Sequence, residues 1–485
     1  MKKHGQTQNR GHRWPRVLGG VLAVCISSSW MGLVQAAELA FSSAWQQVLQ
    51  NNDGLAAERA GVSKAQQLQE AAKALYLPQI DLSGNYTRLD QPVELDLADL
   101  NPIASNKNSP LLNSPLVQQI IQGLGGANAF VTPLTERDLI TSSVQALWPL
   151  YTGGRIDAAQ TIRQGQLKEA EQQFALKQQA AFETLTQRYF GLVLARQVVV
   201  TREQLEQGLV THLDHARKLE QQGQIAAVER LSAESALAKA HVETQSSRRQ
   251  AELAELALGS LLHQRGALQP TDPLFINVQL PPTEPFVAQT LAHHPGLQLL
   301  AAKQQQADGL LTLEQGKRLP GLFLFGNYSL YEQDTIAAEM APDWLVGVGV
   351  KVPLVSRDGL SASEAAASAT QVQVKYLLAQ LRQDLTLLVQ KSWREAELAQ
   401  EQYQGLGVTA RLARENVRLR DKAFSQGLGT SLEVEDARNQ LAGVETQRQV
   451  AAYQYVVCLA RLLVLSGQQG EFSQHQQQNA IEVKP

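Results

Sequence analysis

The sequence predicts a mixed α and β protein of the membrane-barrel kind, in which long coiled helices continue strands that only several chains together can close. Three observations predict it. One structural unit is written twice along the chain. Each copy holds two strand-like segments with an apolar face. Each copy then holds two helical runs too long to be the core of a globule.

The 485 residues are 44% hydrophobic and 18% charged, with aromatics at only 6%. Gln, Ala and Leu dominate, a bias that favours long amphipathic helices over a compact aromatic core. The net charge is -3, with no concentrated basic stripe, which excludes a nucleic-acid partner. The two cysteines are Cys25 and Cys458. Once the N-terminus is removed only Cys458 remains, and no disulfide or zinc site is then possible within one chain.

Residues 1–36 read as a signal peptide. Lys2, Lys3, Arg10, Arg13 and Arg16 form its basic region, residues 17–26 its apolar region, and Val34-Gln35-Ala36 a small-x-small cleavage site. Two other readings stay open: an uncleaved anchor over the uncharged residues 17–36, and lipidation at Cys25, where Val24 is bulkier than such a motif prefers. No later stretch is apolar for long enough to cross a membrane as a helix, so spanning falls to strands closed into a barrel.

The repeat is read from two offsets. Leu77-Pro78-Gln79-Ile80-Asp81-Leu82-Ser83-Gly84-Asn85-Tyr86 matches Leu319-Pro320-Gly321-Leu322-Phe323-Leu324-Phe325-Gly326-Asn327-Tyr328 at an offset of 242, which also pairs Gly54 with Gly296. Downstream the offset is 204: Trp148-Pro149-Leu150 pairs with Val352-Pro353-Leu354, and Gln222-Gly223 with Gln426-Gly427. The first copy therefore carries 38 extra residues between its two strands.

The elements follow in one order. A helical approach comes first, over 40–75 and 284–317. In the strand after it, Ile80, Leu82, Gly84 and Tyr86 share one face, as do Leu322, Leu324, Gly326, Tyr328 and Leu330 in the second copy. The returning strand of the second copy puts Trp344, Val346, Val348, Val350, Val352 and Leu354 on one face, and Gly347, Gly349 and Lys351 on the other. Its first-copy partner, 139–150, is more polar. Gly153-Gly154 and Asp358-Gly359 supply turns. A helical run of about 70 residues then reaches Gly223, and in the second copy Gly427, roughly 100 Å at 1.5 Å per residue. Return helices follow over 228–263 and 432–467.

The expected organisation is thus a signal peptide (1–36), a first repeat (37–267) with helix, β-hairpin with a long loop (91–138) and long helical hairpin, a Pro-rich linker (268–283), a second repeat of the same order (284–467), and a Gln-rich tail (468–485) read as disordered. Four strands cannot close a barrel, and an open edge in lipid is prohibitive, so two chains would give eight strands or three would give twelve.

This order, duplicated, resembles the TolC-type outer-membrane efflux family. So does Phe424-Ser425-Gln426-Gly427-Leu428-Gly429-Thr430-Ser431-Leu432-Glu433-Val434-Glu435-Asp436-Ala437-Arg438, which is similar to the family's tip signature. The resemblance covers residues 40–465. It implies a trimeric twelve-stranded β-barrel continued by a long α-helical coiled-coil barrel, with two internal repeats per chain. It also implies a passive exit duct in the outer membrane, extending into the periplasm. The implied partners are two further copies of itself, a periplasmic adaptor (membrane fusion) protein, an inner-membrane pump and outer-membrane lipid, in a tripartite efflux or type I secretion system.

The resemblance nominates a pore gate at Glu433, Asp436 and Glu229. Glu433 and Asp436 share a helix face at i and i+3, and rings of carboxylates select cations. The plain alternative is a solvated helix face. Glu229 matches an acidic latch residue whose family partners are an aromatic hydroxyl and an arginine. Here those positions hold Phe424 and Gly429, so a latch needs other residues, such as Arg420 or Arg230. The turns, with Gly223 and Gln224 in one and Gly427, Leu428 and Gly429 in the other, are the implied adaptor contacts; glycine there also simply permits the reversal.

His212, Asp214 and His215 lack a third strong ligand, so no metal site is expected. Gly123-Leu124-Gly125-Gly126 lacks the Lys-Ser/Thr of a phosphate loop and reads as part of an extracellular loop. No catalytic constellation and no cofactor site are expected. The competing reading is a periplasmic coiled-coil adaptor or scaffold without a pore, from which the duplicated strand hairpin separates this chain.

Overall fold

A computed structural model describes residues 37–96, 114–123, 131–332, 335–340, 342–355, 357, 359–478 and 480–483. The expected signal peptide with Cys25, Leu124-Gly125-Gly126 and half of the long loop lie outside the described residues. The first half comprises β1 (Ala37–Leu39), α1 (Phe41–Asn51), α2 (Asp53–Lys73), β2 (Gln79–Arg88), β3 (Glu94–Asp96), α3 (Pro115–Gly123), β4 (Val131–Pro133), β5 (Asp138–Tyr151), α4 (Arg155–Gln221) and α5 (Ala227–Leu262). Then come β6 (Leu268–Pro270), β7 (Phe275–Asn277), α6 (Thr283–His293), α7 (Pro295–Gly316), β8 (Gly321–Glu332), α8 (Ile336–Met340), β9 (Trp344–Lys351), α9 (Leu360–Ser425), α10 (Ser431–Leu465), α11 (Phe472–Gln477) and β10 (Ala480–Glu482).

The approach helix is broken at one place in each half. Asn52 ends α1 and caps α2, its side chain accepting from Leu55 N at 3.0 Å. His294 does the same between α6 and α7, with Nδ1 accepting from Gly296 N at 3.1 Å and Pro295 in the first turn. At each break a side chain satisfies one of the first N–H groups of the next helix.

The four long strands form one antiparallel sheet in the order β2-β5-β8-β9. Register places Gln79, Leu147, Phe325 and Gly347 in one row, and Asp81, Gln145, Asn327 and Leu345 in the next. Since side chains alternate across a strand, one face carries Gln79, Asp81, Ser83 and Asn85, and the opposite face Ile80, Leu82 and Tyr86. On that opposite face Leu82 is 71% exposed, Ile80 67% and Val346 65%, so none of the described residues covers it. The register slips between Pro149 and Tyr151, where a residue without an N–H costs the ladder least. Both sheet edges, β2 and β9, are unpaired among the described residues. Among the described residues no helix is long and apolar enough to cross a membrane.

The core sits where the long helices and the approach helices pass one level. Phe41, Phe182, Tyr189, Phe190, Phe275 and Phe472 pack edge-to-face or tilted, with centroids 4.9–6.4 Å apart. The Tyr189 hydroxyl donates to Leu39 O at 2.6 Å and accepts from Asp272 N at 3.1 Å, tying β1 to the segment after β6.

The tail contradicts its expected disorder. Phe472 and Val483 are buried, β10 pairs antiparallel with β7, and Asn277 Nδ2 donates to His475 O at 2.7 Å. Average polarity drove the expectation; two apolar anchors and a few hydrogen bonds, among them Gln476 Nε2 to Asp272 Oδ1 at 2.8 Å, are enough to hold a Gln-rich segment.

Candidate functional site

The ends of the two long hairpins are built alike. Gly223 stands at φ 70°, where Gln224 N donates to Leu219 O at 2.9 Å and Gly223 N to Glu220 O at 2.8 Å. Gly427 repeats this, also at φ 70°, with Leu428 N on Ala423 O at 2.9 Å and Gly427 N on Phe424 O at 2.9 Å. These paired bonds satisfy the last carbonyls of α4 and α9, and the left-handed backbone they require favours glycine. Leu428 is 78% exposed.

The return helix of the second hairpin starts on a capping box. Thr430 Oγ1 accepts from Glu433 N at 3.3 Å, and Glu433 Oε2 accepts from Thr430 N at 3.2 Å. Gly429 leaves the space this fold-back needs: a Cβ there would sit 3.3 Å from Glu433 Oε2. The other carboxylate oxygen of Glu433 meets Arg420 Nη1 at 2.9 Å. Glu433 is thus fully engaged within its own hairpin. Asp436 is exposed, and among the described residues it has no ion pair or hydrogen bond. Between them Glu435 is raised above the usual carboxylate range, first by burial and then by the neighbouring Asp436.

Ser431 joins the two hairpins. Its N–H donates to Glu229 Oε2 at 2.6 Å, and its hydroxyl lies 2.7 Å from His212 Nε2. Glu229 therefore caps the start of α10 from across the tip, where a negative charge meets the positive end of the helix dipole. Around this joint Leu213, Ala216, Leu219, Ala233, Phe424 and Val434 close an apolar cluster. The Phe424 ring, 1% exposed, lies 4.4 Å from the His212 ring. Burial, and then the charge of Arg438, pull the His212 pKa down to about 4. Arg438 crosses α4 at Gly208, where any Cβ would fall on its guanidinium, and meets Asp421 at 2.7 Å.

The structure thus brings Glu229 to the second tip, but through a backbone N–H. Neither Arg420 nor Arg230 takes it: Arg420 serves Glu433, and Arg230 bonds Glu220 at 2.7 Å and Glu234 at 2.8 Å. Ser431 and His212 as a pair, and Phe424 as a core residue, were not found from sequence; the Ser431–His212 contact spans 219 positions and has no local signal. His212 faces inward to Ser431 while Asp214 pairs with Lys218 at 2.5 Å, so the two do not converge. Among the described residues no group of three metal-ligating side chains occurs.

The model of the family described as "Outer membrane efflux protein" matches residues 44–263 and 286–468. No curated protein matches the chain in sequence. Solved structures do resemble it. The outer membrane protein VceC of Vibrio cholerae superposes with a TM-score of 0.69 at 15% identity, over 88% of this chain and 96% of its own. The Campylobacter jejuni CmeC outer membrane channel gives 0.70 at 13% identity, over 90% and 89%. CusC, solved in a study of transmembrane channel formation, gives 0.70 at 15% identity, over 88% and 91%.

Proposed function

The chain belongs to the outer membrane efflux protein family, and we propose that three copies of it pool their strands and helices into one duct. It is an outer-membrane exit duct reaching into the periplasm, a passive conduit and not an enzyme. The observation that carries the trimer is the four-stranded sheet, apolar on one face, polar on the other and open at both edges. In lipid both edges have to be paired. Two copies would give eight strands, a barrel whose interior side chains fill; twelve leave a lumen.

The aromatic residues support that placement. Trp148 and Tyr151 stand at one end of the apolar face, and Tyr86, Tyr328 and Trp344 toward the other. About eleven residues from Tyr151 to Ile140 at ~3.3 Å, tilted ~40°, rise about 28 Å, close to the apolar band of such barrels.

In this reading the duplicated halves are two similar units. α4 has 67 residues and α9 has 66; α5 has 36 and α10 has 35. The hairpins would form the periplasmic tube. The tips at Gly223, Gln224, Gly427, Leu428 and Gly429 would meet a periplasmic adaptor and, beyond it, an inner-membrane pump. Asp436 is the free carboxylate for a cation-selective ring at the mouth, Glu433 a structural cap beside it, and Glu229 the strap between hairpins. An adaptor without a pore has no use for an uncovered apolar sheet face.

The test is reconstitution. Detergent-extracted protein should run as a heat-modifiable trimer and give cation-selective steps in planar bilayers, and Asp436→Ala should weaken that selectivity. A monomer extracted without detergent would end the channel reading; unchanged selectivity would remove Asp436 from the mouth.

A further inference from the structure

The polar face of the sheet is not polar throughout. Where the strands meet the helices, a cavity of about 660 Å³ opens, lined by Leu75, Leu77, Leu147, Pro149, Phe323 and Arg155. The strand register places Leu147, Pro149 and Phe323 on the same face as Gln79, Asp81 and Ser83. In the duct that face looks into the lumen, away from lipid. The Phe323 and Phe325 rings lie over Gly349 and Gly347, where a Cβ would strike them. The two glycines thus let aromatic rings lie flat on the lumen wall.

Two cations flank this apolar floor. Arg155 Nε donates to Thr152 O at 2.9 Å, which fixes the guanidinium. Its Nη2 reaches toward Gly321, and Gly321 is the register partner of Lys351, on the same face. Among the described residues neither Arg155 nor Lys351 pairs with a carboxylate. Of the acids on this face, Asp81 lies beyond the Gln79 row and accepts from Gln79 Nε2 at 2.9 Å, and Glu332 lies at the far end, in the row of Asn85.

We propose that this recess is a transit site for organic anions with an apolar ring or chain, the apolar body resting on Leu147, Pro149 and Phe323 and the anionic group between Arg155 and Lys351. Its size suits a drug-sized molecule. Charge complementarity selects the class: a cation would lose the apolar contact or face two positive groups, and a neutral compound gains only the floor. The occupant is the transported solute, because the floor residues Leu147, Pro149 and Phe323 share the lumen face. The inference rests on the channel reading above.

The probe is 1-naphthalenesulfonate, added to trimers in neutral phosphatidylcholine bilayers while single-channel current is recorded. It should block wild type in a voltage-dependent way. Arg155→Gln with Lys351→Gln should raise the half-blocking concentration about tenfold at low salt, and less as salt screens the charges. Arg155→Lys, which keeps the charge, should leave block near wild type, and uncharged 1-naphthalenemethanol should act equally on all variants. Equal block of wild type and the double variant, in pores of normal conductance, overturns the site alone. A chain that forms no pore overturns both the site and the channel reading.

Discussion

Lowering the pH from 7 to 5 should loosen the joint between the two hairpin tips, and His212 sets the size of the effect. Its ring is 3% exposed, between Phe424 and the Ser431 hydroxyl, and its pKa in the closed joint is about 4. Arg438 and His215 oppose its charge and Asp421 favours it; burial outweighs all three. Parted tips would expose the ring to water, where imidazole titrates near 6.5. Above that pH both states are neutral and nothing is lost. Between about 6.5 and 4 only the parted state takes the proton, so stability of the joint falls as the pH falls. At pH 5 the loss is about 1.5 pH units at 1.36 kcal/mol each, about 2 kcal/mol per chain. That shifts the closed-to-open ratio about thirtyfold. Single-channel conductance recorded from pH 7 to 4.5 should rise across this window. His212→Asn can still bond Ser431 but cannot take a proton, and should flatten the rise. An equal rise in wild type and His212→Asn would refute the reasoning and assign the acid response to carboxylates.

Tyr189→Phe should lower the heat-dissociation midpoint of the trimer. It leaves the Asp272 N–H without the hydroxyl that accepts it, at a cost of about 2–3 kcal/mol; an unchanged midpoint would mean water replaces the hydroxyl. Gly427→Ala forces a side chain into left-handed backbone at φ 70° and should cost about 1–2 kcal/mol at the second tip, seen as faster proteolysis within 425–431. A cysteine at Leu428 should crosslink to a periplasmic adaptor in cells. Its absence, with a cysteine at Gln224 positive, would take the second tip out of the contact. Cys458 need not be removed first, since it is buried and its thiol is pushed up to about 11 by burial and by Glu395.

Much of the fold is legible in the sequence because it is periodic. Ile80, Leu82 and Tyr86 alternate, and Gly223 and Gly427 break long helical runs, so strands and tips can be read locally. The joint at the tip cannot. Glu229 is readable as an acid near a helix start, but its partner is a backbone N–H 202 positions away, which no side-chain pattern encodes. Glu433 and Asp436 look alike in sequence; only the capping box and Arg420 separate a structural carboxylate from a free one. The tail misled for the opposite reason: its composition is polar, and the two residues that anchor it, Phe472 and Val483, hardly alter an average. The recess by Arg155 is invisible locally because its walls come from three strands and a helix start.

The near-equal lengths of α4 and α9, and of α5 and α10, have a consequence for how such a tube can grow. Each residue adds 1.5 Å of reach and about 100° of rotation. Two extra residues in one helix would raise one tip by about 3 Å and swing its apolar stripe to the far side. Seven extra residues return the stripe nearly to its place and add about 10 Å. For Ser431 still to meet His212 and Glu229, the same step has to be taken in all four long helices. Length in this architecture is therefore quantised: a duct fitted to a wider or narrower gap changes in fourfold-matched heptads, and an unmatched insertion is felt first at the tip.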